Sequence, residues 1–160
     1  MLINLLVSIL FLIDRLAKWR ALGIPEGGVF LFSEKFVGLR FYKNFNLIFN
    51  IALPEGLMFG LIGIILAVVV WLLVKNYRRE NIFLIFCLSL IIVGAVSNLI
   101  DRLYFGFVVD FISFFDYSIF NLSDVYIVVG VGLILIWELS GKQTNNQNVE
   151  STNIKTINPK

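Results

Sequence analysis

Long apolar runs dominate the pattern along this chain. Leu57 to Val74 holds no charge and ends in Lys75, Arg78 and Arg79, Ile82 to Ile100 is uncharged until Asp101, and Val125 to Leu139 reaches spanning length if its helix begins near Phe120. Crossing a hydrocarbon core of roughly 30 Å takes about 20 helical residues, so each run predicts a transmembrane helix. At the N-terminus, Leu2 to Ile13 would cover only about 18 Å at 1.5 Å per residue, so a spanning helix there must continue through Asp14 and Lys18. Asp14 then lies close to one membrane face. This segment lacks a basic n-region, and charged residues follow its apolar run where a cleavage site would stand, so it predicts a retained helix and not a signal peptide. The expected fold is an all-α membrane protein with four transmembrane helices within residues 1–140.

Four spans place both termini on one side. The positive-inside rule puts the short basic connection Lys75 to Arg79 in the cytoplasm, and both termini with it. Against that rule, the outer loop from Arg15 to Gly56 carries six Lys/Arg (Arg15, Lys18, Arg20, Lys35, Arg40 and Lys43). Within this loop Pro25-Glu26-Gly27-Gly28 reads as a turn, and Val29 to Phe32 and Phe36 to Lys43 are rich in the β-branched and aromatic residues that strands favour. A small extracytoplasmic β-sheet is expected within residues 20–56, with Phe30, Phe32, Phe36, Phe41 and Tyr42 at the membrane interface or lining a groove for an apolar ligand. The polar segment 141–160, rich in Asn, Gln and Thr, has too little apolar surface to fold and predicts a disordered cytoplasmic tail.

Composition narrows the chemistry. The chain is 59% hydrophobic and 15% charged, against about 25% charged residues in a soluble domain. Thirteen basic and eleven acidic residues leave a net charge of +2, too little to hold a nucleic-acid backbone, so no nucleic-acid partner is expected. Histidine is absent and Cys87 is the only cysteine, which excludes His/Cys zinc sites, Ser-His and Cys-His catalysis and any intramolecular disulfide. Any chemistry must use carboxylates, amides, hydroxyls, Lys or Arg, with no metal and no cofactor expected.

Polar residues gather in one outer segment: Asn98-Leu-Ile-Asp101-Arg102, Val108-Val109-Asp110-Phe111 and Phe120-Asn121-Leu122-Ser123-Asp124. Asn98, Asp101 and Arg102 fall at i, i+3 and i+4 on one helix face, and Asn121 and Asp124 share another. A carboxylate at membrane depth costs roughly 2.5 to 3.5 kcal/mol on insertion scales, so such residues pair or mark a functional site. Asp101 has an adjacent partner in Arg102, whereas Asp110 and Asp124 have no basic neighbour. Two close carboxylates that cannot both ionise split their pKa values, leaving a base that activates water and an acid. Each residue also has a plainer reading. Asp124 could cap the last helix, Asp14 and Lys18 could be an interfacial ion pair, Asn44 a hairpin-turn residue, and Asp101 and Arg102 ordering groups. Asp116 reads as solvated, Gly94 and Ala95 as small residues for close helix packing, and Cys87 as apolar filler. A noncatalytic four-helix channel or assembly subunit is the rival to an enzyme, but a pore would carry polar residues along a whole helix face. Leu57 to Val74 and Ile82 to Gly94 offer almost none.

At these residues the chain resembles the bacterial signal peptidase II family of membrane aspartic peptidases, the lipoprotein signal peptidases. Gly94-Ala95-Val96-Ser97-Asn98-Leu99-Ile100-Asp101-Arg102, then Val108-Val109-Asp110-Phe111, then Phe120-Asn121-Leu122-Ser123-Asp124, resemble the family's GGAxGNxxDR, VVDF and FNxAD blocks in order and at matching separations. The resemblance covers Met1 to about Ser140. It implies that Asp110 and Asp124 are the catalytic pair, with Asn98, Asp101, Arg102 and Asn121 supporting the pocket. Asp14 and Lys18 match the family's D-x-x-x-K, and Asn44 and Phe49 the ends of its N-x-G-A-A-F block. The implied activity is endoproteolytic removal of signal peptides from diacylglyceryl-modified prolipoproteins, cutting before the lipidated cysteine. The implied setting is the bacterial cytoplasmic (inner) membrane, with membrane lipid as surroundings, a monomer, and the site near the outer face. Asn46, Leu47 and Ile48 depart from the family's Gly-Ala-Ala, Ala17 from its hydroxyl residue before the Lys, and Ser123 from its Ala. Leu47 and Ile48 add volume beside the expected substrate groove.

Overall fold

The computed structural model describes residues 2–25, 29–33, 37–45, 54–114 and 118–157, with the backbone alone over 29–33, 37 and 141–157. In chain order these form α1 (Leu2–Ala21), β1 (Val29–Ser33), β2 (Val37–Asn44), α2 (Glu55–Tyr77), α3 (Ile82–Phe105), β3 (Val108–Phe114), β4 (Ser118–Phe120) and α4 (Leu122–Ile157). Three helical stretches, Glu55–Tyr77, Ile82–Phe105 and Leu122–Ser140, are long and apolar enough to cross a membrane. α1 carries Asp14, Arg15, Lys18 and Arg20, too many charges to qualify by composition. Its buried positions are Val7, Asp14, Lys18 and Ala21, whereas Leu2, Leu5, Leu6, Ile9, Leu12, Ile13, Leu16 and Trp19 are exposed. The helix is amphipathic in the sense opposite to that of a soluble protein, apolar outside and charged within.

α3 is the central element, with half of its spanning window buried, whereas α2 is apolar all round and almost wholly exposed. Such a face is stable only in hydrocarbon. α3 and α4 approach so closely that a Cβ on Gly94 would strike the Ser123 carbonyl, and one on Gly130 would lie 2.7 Å from the Cys87 carbonyl and 2.8 Å from Ile91 Cγ1. The expected packing role of Gly94 therefore extends to Gly130, with Cys87 buried beside it. Asn81 opens α3 by accepting a hydrogen bond from the Leu84 amide (3.1 Å), and Gly106 ends it at a φ of 80°, the left-handed conformation that a Cβ disfavours.

The strands form one antiparallel sheet in the order β1-β2-β3-β4. β1 and β2 lie where the sequence placed strands, but β3 and β4 were unforeseen, and β3 sits centrally with Tyr42 opposite Asp110 and Ile112 opposite Phe120. Residues 108–111 of β3 are all buried, so its apolar run lacks the alternation that marks a half-exposed strand. Phe41, expected among exposed aromatics at the interface or lining a groove, is instead core: it packs with Ala21, Val109 and Phe111 and joins the sheet to the end of α1. Tyr42 is exposed as expected. The sheet thus covers the end of the bundle where α1 and α3 finish and α4 begins. At the far end Tyr77 donates to Asn4 Oδ1 (2.7 Å), tying the close of α2 to the start of α1.

The backbone of α4 is helical through the polar segment to Ile157, where the composition predicted an unfolded tail. Extending an existing helix avoids the cost of a new nucleus. The turn at 26–28, Phe36, the block 46–49 and Asp116 lie outside the described residues.

Candidate active site

At the sheet-covered end, β3, β2, α3 and the first turn of α4 converge on two carboxylates. Asp110, on β3, is almost wholly buried. Its Oδ2 accepts from Asn44 Nδ2 at 2.8 Å and its Oδ1 from Asn121 Nδ2 at 2.6 Å. Asn44 is the last residue of β2, so it serves the site from a strand end and not from a hairpin turn. Asp124 is half-buried, its Oδ1 accepting from Asn98 Nδ2 (2.8 Å) and its Oδ2 from the Asn121 backbone amide (3.2 Å). Asn121 Oδ1 accepts in return from the Asp124 amide (2.9 Å). This reciprocal pair is a capping box: the cap is Asn121, and Asp124 stands three residues later. The sequence reading of Asp124 as the cap is corrected accordingly, because the helix begins at Leu122. Asn121 therefore starts α4 and bonds both carboxylates, that of Asp110 through its side-chain amide and that of Asp124 through its backbone N–H.

Burial pushes the Asp110 carboxyl from 3.8 up to about 7, and the Asp124 charge pushes in the same direction. Hydrogen bonds from Asn44 and Asn121, and the charge of Lys18, pull it partly back. The guanidinium of Arg102 lies within electrostatic reach of Asp124, Asp110 and Asp101.

Beneath the pair lies a second cluster drawn from α1 and α3. Lys18 contacts Asp101 Oδ2 at 2.7 Å, Asp14 Oδ2 at 3.3 Å and Asn98 Oδ1 at 2.7 Å. Arg15 reaches Asp101 Oδ1 at 2.5 Å. Asp14 takes a hydrogen bond from Ser97 Oγ (2.5 Å) and one from the Ser123 amide (2.9 Å), which pins the start of α4 to α1. Asp14 and Asp101 are fully buried and Lys18 is 1% exposed, so the interfacial reading of Asp14 and Lys18 does not hold. Two acids and two bases cancel, which is what burial of charge requires.

Asp101 takes Arg15 and Lys18 as its ion-pair partners, not the neighbouring Arg102. Adjacent residues on a helix point about 100° apart and do not face each other. All nine residues singled out in the sequence fall at this end of the bundle. Sequence reasoning missed Arg15 and Ser97. The available signal was charge balance: Asp14 and Asp101 buried with Lys18 alone would leave one negative charge over.

This arrangement of helices and sheet is similar to that of a bacterial membrane enzyme. A solved structure of such an enzyme, obtained by the in meso method at 2.3 Å resolution, superposes with a TM-score of 0.77 and 27% identity, covering 89% of this chain and 90% of that one. The family described as "Signal peptidase (SPase) II" matches residues 6–140. The lipoprotein signal peptidase of Streptococcus pneumoniae is 32% identical over 148 residues, 90% of this chain and 96% of that protein. That of Brucella ovis is 40% identical over 88 residues, 51% of this chain and 55% of that protein. The chain belongs to the signal peptidase II family and is a membrane peptidase.

Proposed function

We propose that this signal peptidase removes lipoprotein signal peptides by aspartic chemistry, with Asp110 and Asp124 as the reacting pair. The observation that carries the reading is the double bridge by Asn121, whose side-chain amide donates to the Asp110 carboxylate while its backbone N–H donates to that of Asp124, in a site where burial and mutual charge disfavour ionising both. One carboxylate takes a proton from a water molecule as its oxygen attacks the scissile carbonyl carbon. A tetrahedral diol forms, and the protonated partner passes its proton to the leaving nitrogen as the C–N bond breaks. Burial and the Asp124 charge both raise the Asp110 carboxyl, so in this reading the pair holds one proton before attack. No metal or cofactor enters these steps.

The substrate in this reading is a prolipoprotein carrying a diacylglyceryl group on the cysteine after the cut. A lipidated cysteine anchors the scissile bond at the bilayer surface, and the pair lies at the end of the bundle, level with the sheet. α1 is read as a fourth span despite its charges, because its apolar residues face outward and its charged residues Asp14 and Lys18 are matched within. The basic turn after α2 then lies in the cytoplasm with both termini, and the site opens at the outer face of the cytoplasmic membrane. Two of the six outer cations, Arg15 and Lys18, are neutralised in the buried cluster, which lessens their weight against that orientation. In this reading the protein acts as a monomer. Incubation of purified protein with diacylglyceryl-modified prolipoprotein and with its unmodified form tests the substrate: only the modified form is cut, and equal cleavage of both refutes the role of the lipid.

A further inference from the structure

The mechanism uses Asp110, Asp124 and their amides, but it leaves Lys18 unexplained. An ammonium group 1% exposed, on the first helix, sits under the reacting pair. We propose that Lys18 is a positioning residue that fixes the Asn98 amide in the one orientation able to donate to Asp124. This rests on the reading of Asp124 as half of the catalytic pair.

Asn98 lies between two charges, with Oδ1 2.7 Å from Lys18 Nζ and Nδ2 2.8 Å from Asp124 Oδ1. An ammonium only donates and an ionised carboxylate only accepts. Turned by half a rotation, the amide would set its NH2 against the ammonium and its oxygen against the carboxylate, two repulsive contacts in place of two charge-assisted hydrogen bonds. Between two neutral partners the amide would lose most of that preference. The ammonium is itself held on its other sides: Asp101 Oδ2 lies at 2.7 Å and Asp14 Oδ2 at 3.3 Å, so that with Asn98 Oδ1 its three N–H groups have three acceptors, and Ser97 Oγ stands further off at 3.5 Å. Arg15 on Asp101 Oδ1 supplies the second positive charge that lets two acids and two bases share this space without a net charge. The order thus runs from the α1 cluster through one amide of α3 to a reacting oxygen on α4. Asp14 reinforces it by holding the amide of Ser123, the residue next to Asp124.

Removing Lys18 alone would strand Asp14 and Asp101 with one base, so the test uses the charge-balanced pair Asp14→Asn with Lys18→Met. Asn at 14 keeps an oxygen for the Ser123 amide. The full-length protein in nanodiscs is assayed on lipid-modified prolipoprotein, alone and with Asn98→Ala. The balanced pair is expected to lower kcat at least tenfold with KM within twofold and the melting temperature within a few degrees. In the Asn98→Ala background the same pair is expected to cost less than twofold, because residues acting through one another are not additive. An equal cost in both backgrounds, an unchanged kcat, or a loss confined to KM overturns the assignment. If the Met pair does not accumulate in the membrane, Asp14→Asn with Lys18→Gln takes its place. Its amide still donates to Asn98, so at least half the wild-type kcat supports the relay and a tenfold loss overturns it. Asp124→Asn, run alongside, separates the two claims: an active Asp124→Asn removes the catalytic pair itself, whereas an inactive one with additive Lys18 effects removes only the relay.

Discussion

Asp110→Asn should stabilise the folded protein at high pH while abolishing turnover, and its magnitude follows from the site. The folded carboxyl titrates at about 7, chiefly because of burial, against 3.8 without that environment. Between these values the folded state holds a proton that the unfolded state has released, so stability falls as pH rises from about 4 to about 7. At 1.36 kcal/mol per pH unit the loss amounts to roughly 4 kcal/mol. Asn has no such titration and escapes it. It carries one acceptor oxygen, however, where Asn44 and Asn121 each donate to a separate oxygen of Asp110. One donor is left unsatisfied, at a cost of about 1–3 kcal/mol. The variant is therefore expected to melt below wild type near pH 4.5 and level with or above it near pH 8. Thermal unfolding in nanodiscs, followed by tryptophan fluorescence across this range, measures the difference. A gap in melting temperature that stays constant with pH would refute the reasoning, because it would mean that Asp110 titrates alike in folded and unfolded chains.

Other consequences are more local. Gly130→Val forces apart helices that meet across a carbonyl 2.7 Å from the new Cβ, and should cost about 1–3 kcal/mol or more in thermal stability. Gly63→Ala, where the added methyl meets open space on α2, should not destabilise the protein in the same assay. Among the described residues the buried Ser123 hydroxyl has no hydrogen-bond partner, so Ser123→Ala should leave kcat near wild type and raise stability by about 1 kcal/mol, read from melting curves. With no histidine and one buried cysteine in the chain, turnover should survive EDTA unchanged; loss of activity restored by zinc would contradict the carboxylate chemistry.

The chain made some of this legible and hid the rest for physical reasons. Long apolar runs marked α2, α3 and α4 because lipid-facing helices need no polar stripe, and β1 and β2 showed through their β-branched and aromatic residues. β3 was invisible as a strand: residues 108–111 are all buried, so no alternation appears. The spacing of Asn121 and Asp124 was visible, but the roles within the capping box were exchanged, because either residue type suits the cap. Asp101 was assigned its neighbour in sequence when its partners lay across the interface on α1. Arg15 was overlooked because a charge near a helix end reads as solvated, and only the packed structure shows which acid it faces. Asp14, Lys18, Asn44 and Asn98 were named from motif spacing, yet the order in which they hold one another depends on three elements meeting, which spacing along one chain does not encode.

The central claim is that Asp110 and Asp124 form one water-activating unit. It is tested most directly by initial-rate cleavage of diacylglyceryl-modified prolipoprotein by purified Asp110→Asn, Asp124→Asn and the double variant, with the exposed Glu138→Gln as control. The account predicts that the two single variants and the double variant all fall to a similar floor, that all remain inserted in the membrane, and that the control keeps wild-type turnover. Substantial cleavage by either well-inserted single variant would contradict it.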